Sequence, residues 1–394
     1  MAASIDSPAE VVVAGHVCLD VIPVLSGPAG LEPGRLLEIG PAEMSTGGAV
    51  PNIGLSLHRL GVPVRLMGKV GDDLFGSAVL EALRARDPEL AADMVVGAGE
   101  ITSYSIVISP PGVDRSFLHC SGANDTFTAD DVRYDELASA RLFHFGYPPI
   151  MRAMYADGGS ELRRMLARAR DAGPAISLDM CRPDPDGDAG QVDWPQLLKD
   201  TLPLVDIFVP SIEELLFMLD RDAYGRLESG ADVVDLDLLR RLGDQLLGMG
   251  TAVVAIKLGE QGLYVRTSDA LQEFCDRLSL DAEEWRDREV VSPCFRARRV
   301  AGTTGAGDCT IAGFLAALLR GEGPAQAATS ATAVGASSVE APDATSGVPP
   351  WPELAARVRA GWARDPIRIR LDDRELQPDA LGTFTLSRPD NEPA

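Results

Sequence analysis

Short apolar runs rich in β-branched residues alternate along this chain with longer stretches whose apolar positions recur at helical spacing. Val11–Gly15, Val64–Met67, Arg141–Phe145, Ala175–Asp179, Asp206–Val209 and Ala252–Leu258 read as strands. Asn52–Leu60, Phe75–Ala85, Gly159–Ala172, Gln196–Leu202, Ile212–Leu219, Leu236–Gly248, Gly307–Arg320 and Ala325–Val339 read as helices, with Gly61 and Gly321 as stop signals. Such alternation predicts an α/β fold with a mostly parallel sheet covered on both faces. Ligands of such sheets gather at the carboxyl ends of the strands.

Two regions break the alternation. Arg35–Thr46 and Thr102–Cys120 read as strands and hairpins, the second turning at Pro110-Pro111-Gly112. Two strand-rich inserts can pair into a small separate sheet, which beside the strand ends would act as a lid. Residues 222–234 and 268–298 read as surface excursions, the latter containing the polar run Asp281–Glu289. Beyond about residue 365 the chain turns polar, and Ser387–Ala394 reads as frayed.

Length allows one large α/β domain or two in 394 residues. A net charge of −23 repels nucleic acid and anionic membrane, so neither is expected as a partner. None of the six cysteines forms a Cys-x-x-Cys pair and the four histidines are scattered, which speaks against a zinc site or a disulfide framework. No basic leader and no apolar run of transmembrane length is present, so a soluble, cytoplasmic protein is expected.

Candidate chemistry concentrates in residues 302–320, where a Gly-rich turn enters a long apolar helix with Asp308 at the junction. The first N–H groups of a helix have no intrahelical partner and its dipole favours negative charge there. Gly305, Ala306 and Gly307 are therefore placed to cradle an anion such as a phosphate. Asp308 is either an ordinary helix N-terminal charge or a base that takes a proton from a hydroxyl attacking that phosphate. The P-loop pattern Gly-x-x-x-x-Gly-Lys-Ser/Thr, the Gly-x-Ser-x-Gly elbow and a Gly-x-Gly-x-x-Gly after the first strand are all missing.

Nearer the N-terminus, Gly47-Gly48-Ala49-Val50-Pro51-Asn52 opens a helix. The glycines allow close approach of backbone to a polar ligand, and Asn52 offers both a donor and an acceptor to a hydroxyl. Read alone, the segment is equally a loop with a helix start. Asp20, just past the first strand, either accepts two neighbouring hydroxyls or sits on a surface turn.

With these motifs in this order the chain resembles the ribokinase-like (PfkB) family of sugar and nucleoside kinases. One signature is Gly47-Gly48…Asn52 running to Gly61, and the other is Gly302–Asp308 with its helix to Leu319. The link Gly68-Lys69-Val70-Gly71-Asp72-Asp73-Leu74-Phe75-Gly76 is also similar to a family segment. The resemblance implies a three-layer α/β/α core with a small β-sheet lid over residues 10–365. Lid strands would come from about 16–46 and 100–122, with a partly disordered extension at 366–394. It implies ATP-dependent phosphorylation of a hydroxyl, usually a primary alcohol, of a sugar or sugar derivative. By position Asp308 would be the base, with Gly305, Ala306 and Gly307 as the anion hole and Asp20, Gly47, Gly48 and Asn52 holding the acceptor. Lys257, Gly259, Gly262, Thr304 and Gly335 would fall to the nucleotide, and Glu214 would help place Mg²⁺, although Ser211-x-x-Glu214 also reads as a capping box.

Departures limit the transfer. Gly302 stands where an acid often joins a monovalent-cation site, so potassium activation loses its support. Ser211 replaces a usual Asn, Lys257 a frequent Thr, and Ala49 lacks the Lys of many ribose-type members. Asp179-Met180-Cys181-Arg182 resembles an Asp-x-Asn-x-Arg run with Cys181 breaking it. A nucleoside kinase, with Phe117, Phe145 or Tyr147 stacking on the acceptor, and a catalytically silent sugar- or nucleotide-binding regulator are the alternatives. Homodimerisation through the lid is the expected association.

Overall fold

The computed structural model describes residues 9–25, 27, 33–34, 36–110, 115–230, 234–369 and 378–386. Among the described residues the main sheet has nine strands, ordered Val64–Met67, Val11–Gly15, Leu142–Gly146, Ala175–Leu178, Ile207–Phe208, Val253–Lys257, Leu263–Thr267, Glu289–Ser292 and Phe384–Thr385. The first six in this order run parallel, and the last three add on antiparallel. The inner parallel strands Val11–Gly15, Leu142–Gly146 and Val253–Lys257 are buried at every position, as a sheet covered on both faces requires. One layer holds helices Ala49–Arg59, Ala306–Leu319 and Pro324–Ser338; the other holds Ser160–Ala172, Trp194–Thr201, Ile212–Leu219 and Leu236–Gly248. The expected three-layer α/β/α core is therefore present.

A separate four-stranded sheet is ordered Ala42–Gly47, Cys18–Pro23, Tyr104–Ile108, Ser116–Cys120. Sequence patterning placed strands and hairpins over Arg35–Thr46; among the described residues of that span the strand is Ala42–Gly47. The reading of Asp20 as a turn fails, because Asp20 lies inside the strand Cys18–Pro23. Pro111 and Gly112 of the expected turn lie outside the described residues.

The segment Gly68–Gly76 anchors the root of this sheet. Asp73 caps helix Leu74–Arg84 by accepting from the Gly76 N–H, and it also accepts from the Thr102 hydroxyl at 2.6 Å and the Thr102 N–H at 2.9 Å. Asn124 closes the other side, exchanging both amide bonds with the backbone of Val17.

Residues 268–298 are not a surface excursion. Helices Gln272–Leu278 and Ala282–Trp285 bury Phe274, Leu278 and Trp285, and the strand Glu289–Ser292 extends the sheet. Trp285 packs edge-on between Phe274 and Phe314, supporting the helix that starts at Ala306. In 222–234, helix Arg221–Glu228 is formed. Near the C-terminus, Phe384–Thr385 pairs with Val290–Val291.

Candidate active site

The carboxyl ends of the parallel strands supply most of the candidate residues. His16 follows Gly15, Tyr147 follows Gly146, Asp179 follows Leu178, Ser211 and Glu214 follow the strand at 207–208, and Lys257 ends its own strand. The lid sheet stands over these ends. Between them lies a cleft of about 700 Å³, lined by Asp20, Ser105 and His119 from the lid and by Asn52, Thr304, Gly305 and Asp308 from below. That volume suits a small polar molecule.

Strand register explains the lid's inner face. Asp20 pairs with Ser105, and Ser105 with His119, so one row of side chains points into the cleft. The Ser105 hydroxyl bonds His119 Nδ1 at 3.0 Å, and His119 Nε2 stands 3.4 Å from His16 Nε2. Burial, and then His119, holds His16 well below the usual histidine range, and burial also lowers His119. Burial raises the Asp20 carboxyl, opposed by bonds from Cys18 and Ser105 and by the charge of Arg115. Arg115 also reaches across the cleft, donating to the Thr304 hydroxyl at 2.6 Å.

Gly47 and Gly48 have a structural reason beyond ligand approach. A Cβ on Gly47 would lie 2.3 Å from Asp20 Oδ2, and one on Gly48, at φ 93°, would lie 2.4 Å from His16 Nδ1. Asn52 turns out to touch Asp308: its Nδ2 donates to Asp308 Oδ2 at 2.8 Å, while its Oδ1 is buried with no partner among the described residues.

Gly305 caps helix Ala306–Leu319 in the left-handed region at φ 68°, where glycine is strain-free. Among the described residues no side chain caps this end, which meets the cleft at Gly305 and Asp308, and Ala306 N–H makes a long 3.3 Å bond to the Thr303 carbonyl. Asp308 is buried in the first turn. Burial pushes its carboxyl up, and the Tyr147 hydroxyl (2.6 Å to Oδ1), the Lys257 charge and the Asn52 amide pull it back.

Lys257 is buried rather than solvated. A Cβ on Gly307 would lie 3.8 Å from its Nζ, which places the ammonium against the helix start. Burial disfavours its charge, but Glu214, Asp179 and Asp308 outweigh that and raise it above the ordinary lysine value. The strand ends explain the grouping: Lys257 N–H bonds the Pro210 carbonyl, and Ser211 bridges to Lys257. Glu214 forms the capping box, its Oε2 accepting from the Ser211 N–H at 2.6 Å. Asp179 is fully buried, with Oδ2 unpartnered among the described residues, and burial raises it well above the usual carboxylate range.

Other expected residues lie apart. Gly259 (φ 58°) and Gly262 (φ 109°) shape the turn between the strands Val253–Lys257 and Leu263–Thr267, outside the cleft lining. Gly335 sits inside helix Pro324–Ser338, where a Cβ would strike the Thr310 hydroxyl oxygen at 2.3 Å. At Gly302 a Cβ would come within 2.7 Å of the Pro342 carbonyl, so the carboxylate usual at that position has no room. Among the described residues no His, Cys, Asp or Glu cluster is arranged to hold a metal alone. Phe145 is fully buried core, and Tyr147 commits its hydroxyl to Asp308. Sequence patterning missed His16, Ser105, Arg115 and His119; the lid's alternation could have suggested them only once its register was known.

The profile of the pfkB family carbohydrate kinases matches residues 8–351. The chain belongs to the pfkB family. It is thereby an ATP-dependent carbohydrate kinase, a phosphotransferase with an alcohol acceptor. The 2-dehydro-3-deoxygluconokinase of Bacillus subtilis is 27% identical over 339 residues, covering 84% of this chain and 91% of that protein. A nucleoside kinase of Methanothermobacter thermautotrophicus is 26% identical, covering 81% and 86%. The structure of Arabidopsis thaliana ribokinase complexed with ribose and ATP superposes with a TM-score of 0.67 at 18% identity, covering 89% of this chain and 98% of that one. This pfkB chain therefore shares the ribokinase fold. Among the described residues no helix is long and apolar enough to cross a membrane.

Proposed function

We propose that the enzyme transfers the ATP γ-phosphoryl group to a hydroxyl, of the primary-alcohol kind, on a sugar or sugar derivative, with Asp308 as general base. One observation carries this reading: a single cleft joins the polar lid row Asp20, Ser105 and His119 to the buried Asp308 at an uncapped helix start. The lid row and Asn52 hold the acceptor. The N–H groups at Gly305, Ala306 and Gly307, with the Lys257 ammonium beside them, offset charge on the phosphoryl group in flight.

Phosphoryl transfer needs positioning and charge stabilisation more than covalent chemistry, which suits rigid strand ends and a helix N-terminus. Glu214 would help hold Mg²⁺, through water, and the ion would offset charge on the nucleotide's phosphates. The lid excludes water during transfer. The crowding at Gly302 predicts no monovalent-cation requirement.

A nucleoside acceptor is the second reading, favoured by the nucleoside kinase relative. The cleft supports it less, because of the three expected stacking rings only Phe117 lines it free of the core and of Asp308. A screen of ADP release over sugars, sugar acids, polyols and nucleosides with Mg²⁺ tests the proposal. A sugar or sugar acid is expected to stimulate release at least about tenfold over water. Stimulation by nucleosides alone would overturn the sugar reading.

A further inference from the structure

Tyr147 joins the two most deeply placed carboxylates of the cleft. Its backbone N–H donates to Asp179 Oδ1 at 3.1 Å, and its hydroxyl to Asp308 Oδ1 at 2.6 Å. It does so from the left-handed region, at φ 65° and ψ 41°, between Gly146 and Pro148. That conformation is strained for an aromatic residue and persists only where the surroundings over-determine it. A tyrosine serving only as packing needs neither the strain nor the buried hydroxyl. The ring itself leans on His16, with centroids 6.0 Å apart.

The two donors grip Asp308 from opposite sides, Tyr147 at Oδ1 and Asn52 at Oδ2. A carboxylate offers about four lone-pair sites, so each oxygen keeps one for an incoming hydroxyl. The carboxylate plane is fixed before any acceptor arrives.

We propose that Tyr147 is a positioning residue for phosphoryl transfer, its phenol holding the Asp308 carboxylate ionised and aimed at the acceptor hydroxyl. This rests on the reading of Asp308 as the base. The other groups facing Asp308 are Lys257 on its strand and Asp179 beyond the strand Ala175–Leu178, with Glu214 and Cys181 farther out and Cys309 next in the chain. Removing the phenol leaves this set unchanged and withdraws one strong donor to the charged form.

The test compares the wild type with Tyr147→Phe, which keeps the ring and its His16 contact. The ¹³C carboxyl resonance of Asp308, assigned by its loss in Asp308→Asn, is followed against pH. In Tyr147→Phe its midpoint is expected to rise by about half a pH unit or more. The acid limb of kcat/KM moves up with it, and kcat falls about tenfold at neutral pH. Replacing Tyr147 by 3,5-difluorotyrosine, a stronger donor of the same shape, moves the midpoint down; this variant decides the matter if Tyr147→Phe fails to fold. An unmoved midpoint in both variants overturns the proposal. The resonance needs no acceptor, so it judges Tyr147 separately from the kinase reading.

Discussion

Burial gives Asp308 its character before a ligand enters, because a carboxylate taken out of water resists ionisation. Its folded-state value is raised above that of the unfolded chain. A raised acid binds its proton more tightly in the folded state, so stability falls as pH rises from the ordinary carboxylate range through the folded value. Asparagine mimics the protonated form. Asp308→Asn is therefore expected to melt above wild type at pH 7, with the gap closing as pH drops through that window. Calorimetry across pH checks this; a gap that widens on acidification would contradict the burial argument. Asp308 was legible in the sequence because a Gly-rich turn and an apolar helix are local signals. Lys257 was read toward the nucleotide and Tyr147 as a stacking ring, but their placement against Asp308, and that of His119 in the cleft, was not legible, because each acquires its role from partners far along the chain. A buried ammonium facing three carboxylates looks, in one dimension, like any lysine at a strand end.

At the scale of elements, the two glycines at 47 and 48 show how a helix start and a lid strand are fitted together. Adding a Cβ at Gly47 pushes on the carboxylate of Asp20, the movable end of a side chain rather than backbone. Gly47→Ala should therefore fold, bind ATP normally, and raise KM for the acceptor about tenfold by displacing Asp20. Steady-state kinetics with each substrate varied in turn measures this, and a rise confined to the KM of ATP would place Asp20 on the wrong ligand. Long periodic elements were readable: Val11–Gly15, Ile212–Leu219 and Leu236–Gly248 match the expected spans residue for residue. The misread stretch 268–298 has a physical cause. Its helices Gln272–Leu278 and Ala282–Trp285 are too short to show a period, and the charged residues around Trp285 disguise a buried aromatic.

Over the whole molecule, the lid has two faces of opposite character. The row Asp20, Ser105, His119 faces the cleft, while the neighbouring row Met44, Val21, Ile106, Leu118 points away from it. Met44 is 66% and Leu118 49% exposed, an apolar stripe across both edges of a small sheet. Two copies meeting through this stripe would cover it. Sedimentation at micromolar concentration should give twice the chain mass, reverting to single mass in Met44→Glu/Leu118→Glu. A wild type that sediments as a single chain would contradict the pairing. The α/β/α architecture and the lid's existence were readable from alternation and its two interruptions. The lid's register, and with it the choice of inward side chains, was not, since a one-residue slip would exchange the two faces.

On the proposed mechanism Asp308 is the base at the end of one shared cleft. With an acceptor from the screen in hand, the most direct measurement is kcat of Asp308→Asn beside its ATP dissociation constant. If Asp308 is the base, kcat falls by at least about 10²-fold with ATP affinity changed less than about threefold. Turnover equal to wild type, with ATP still bound, would contradict it.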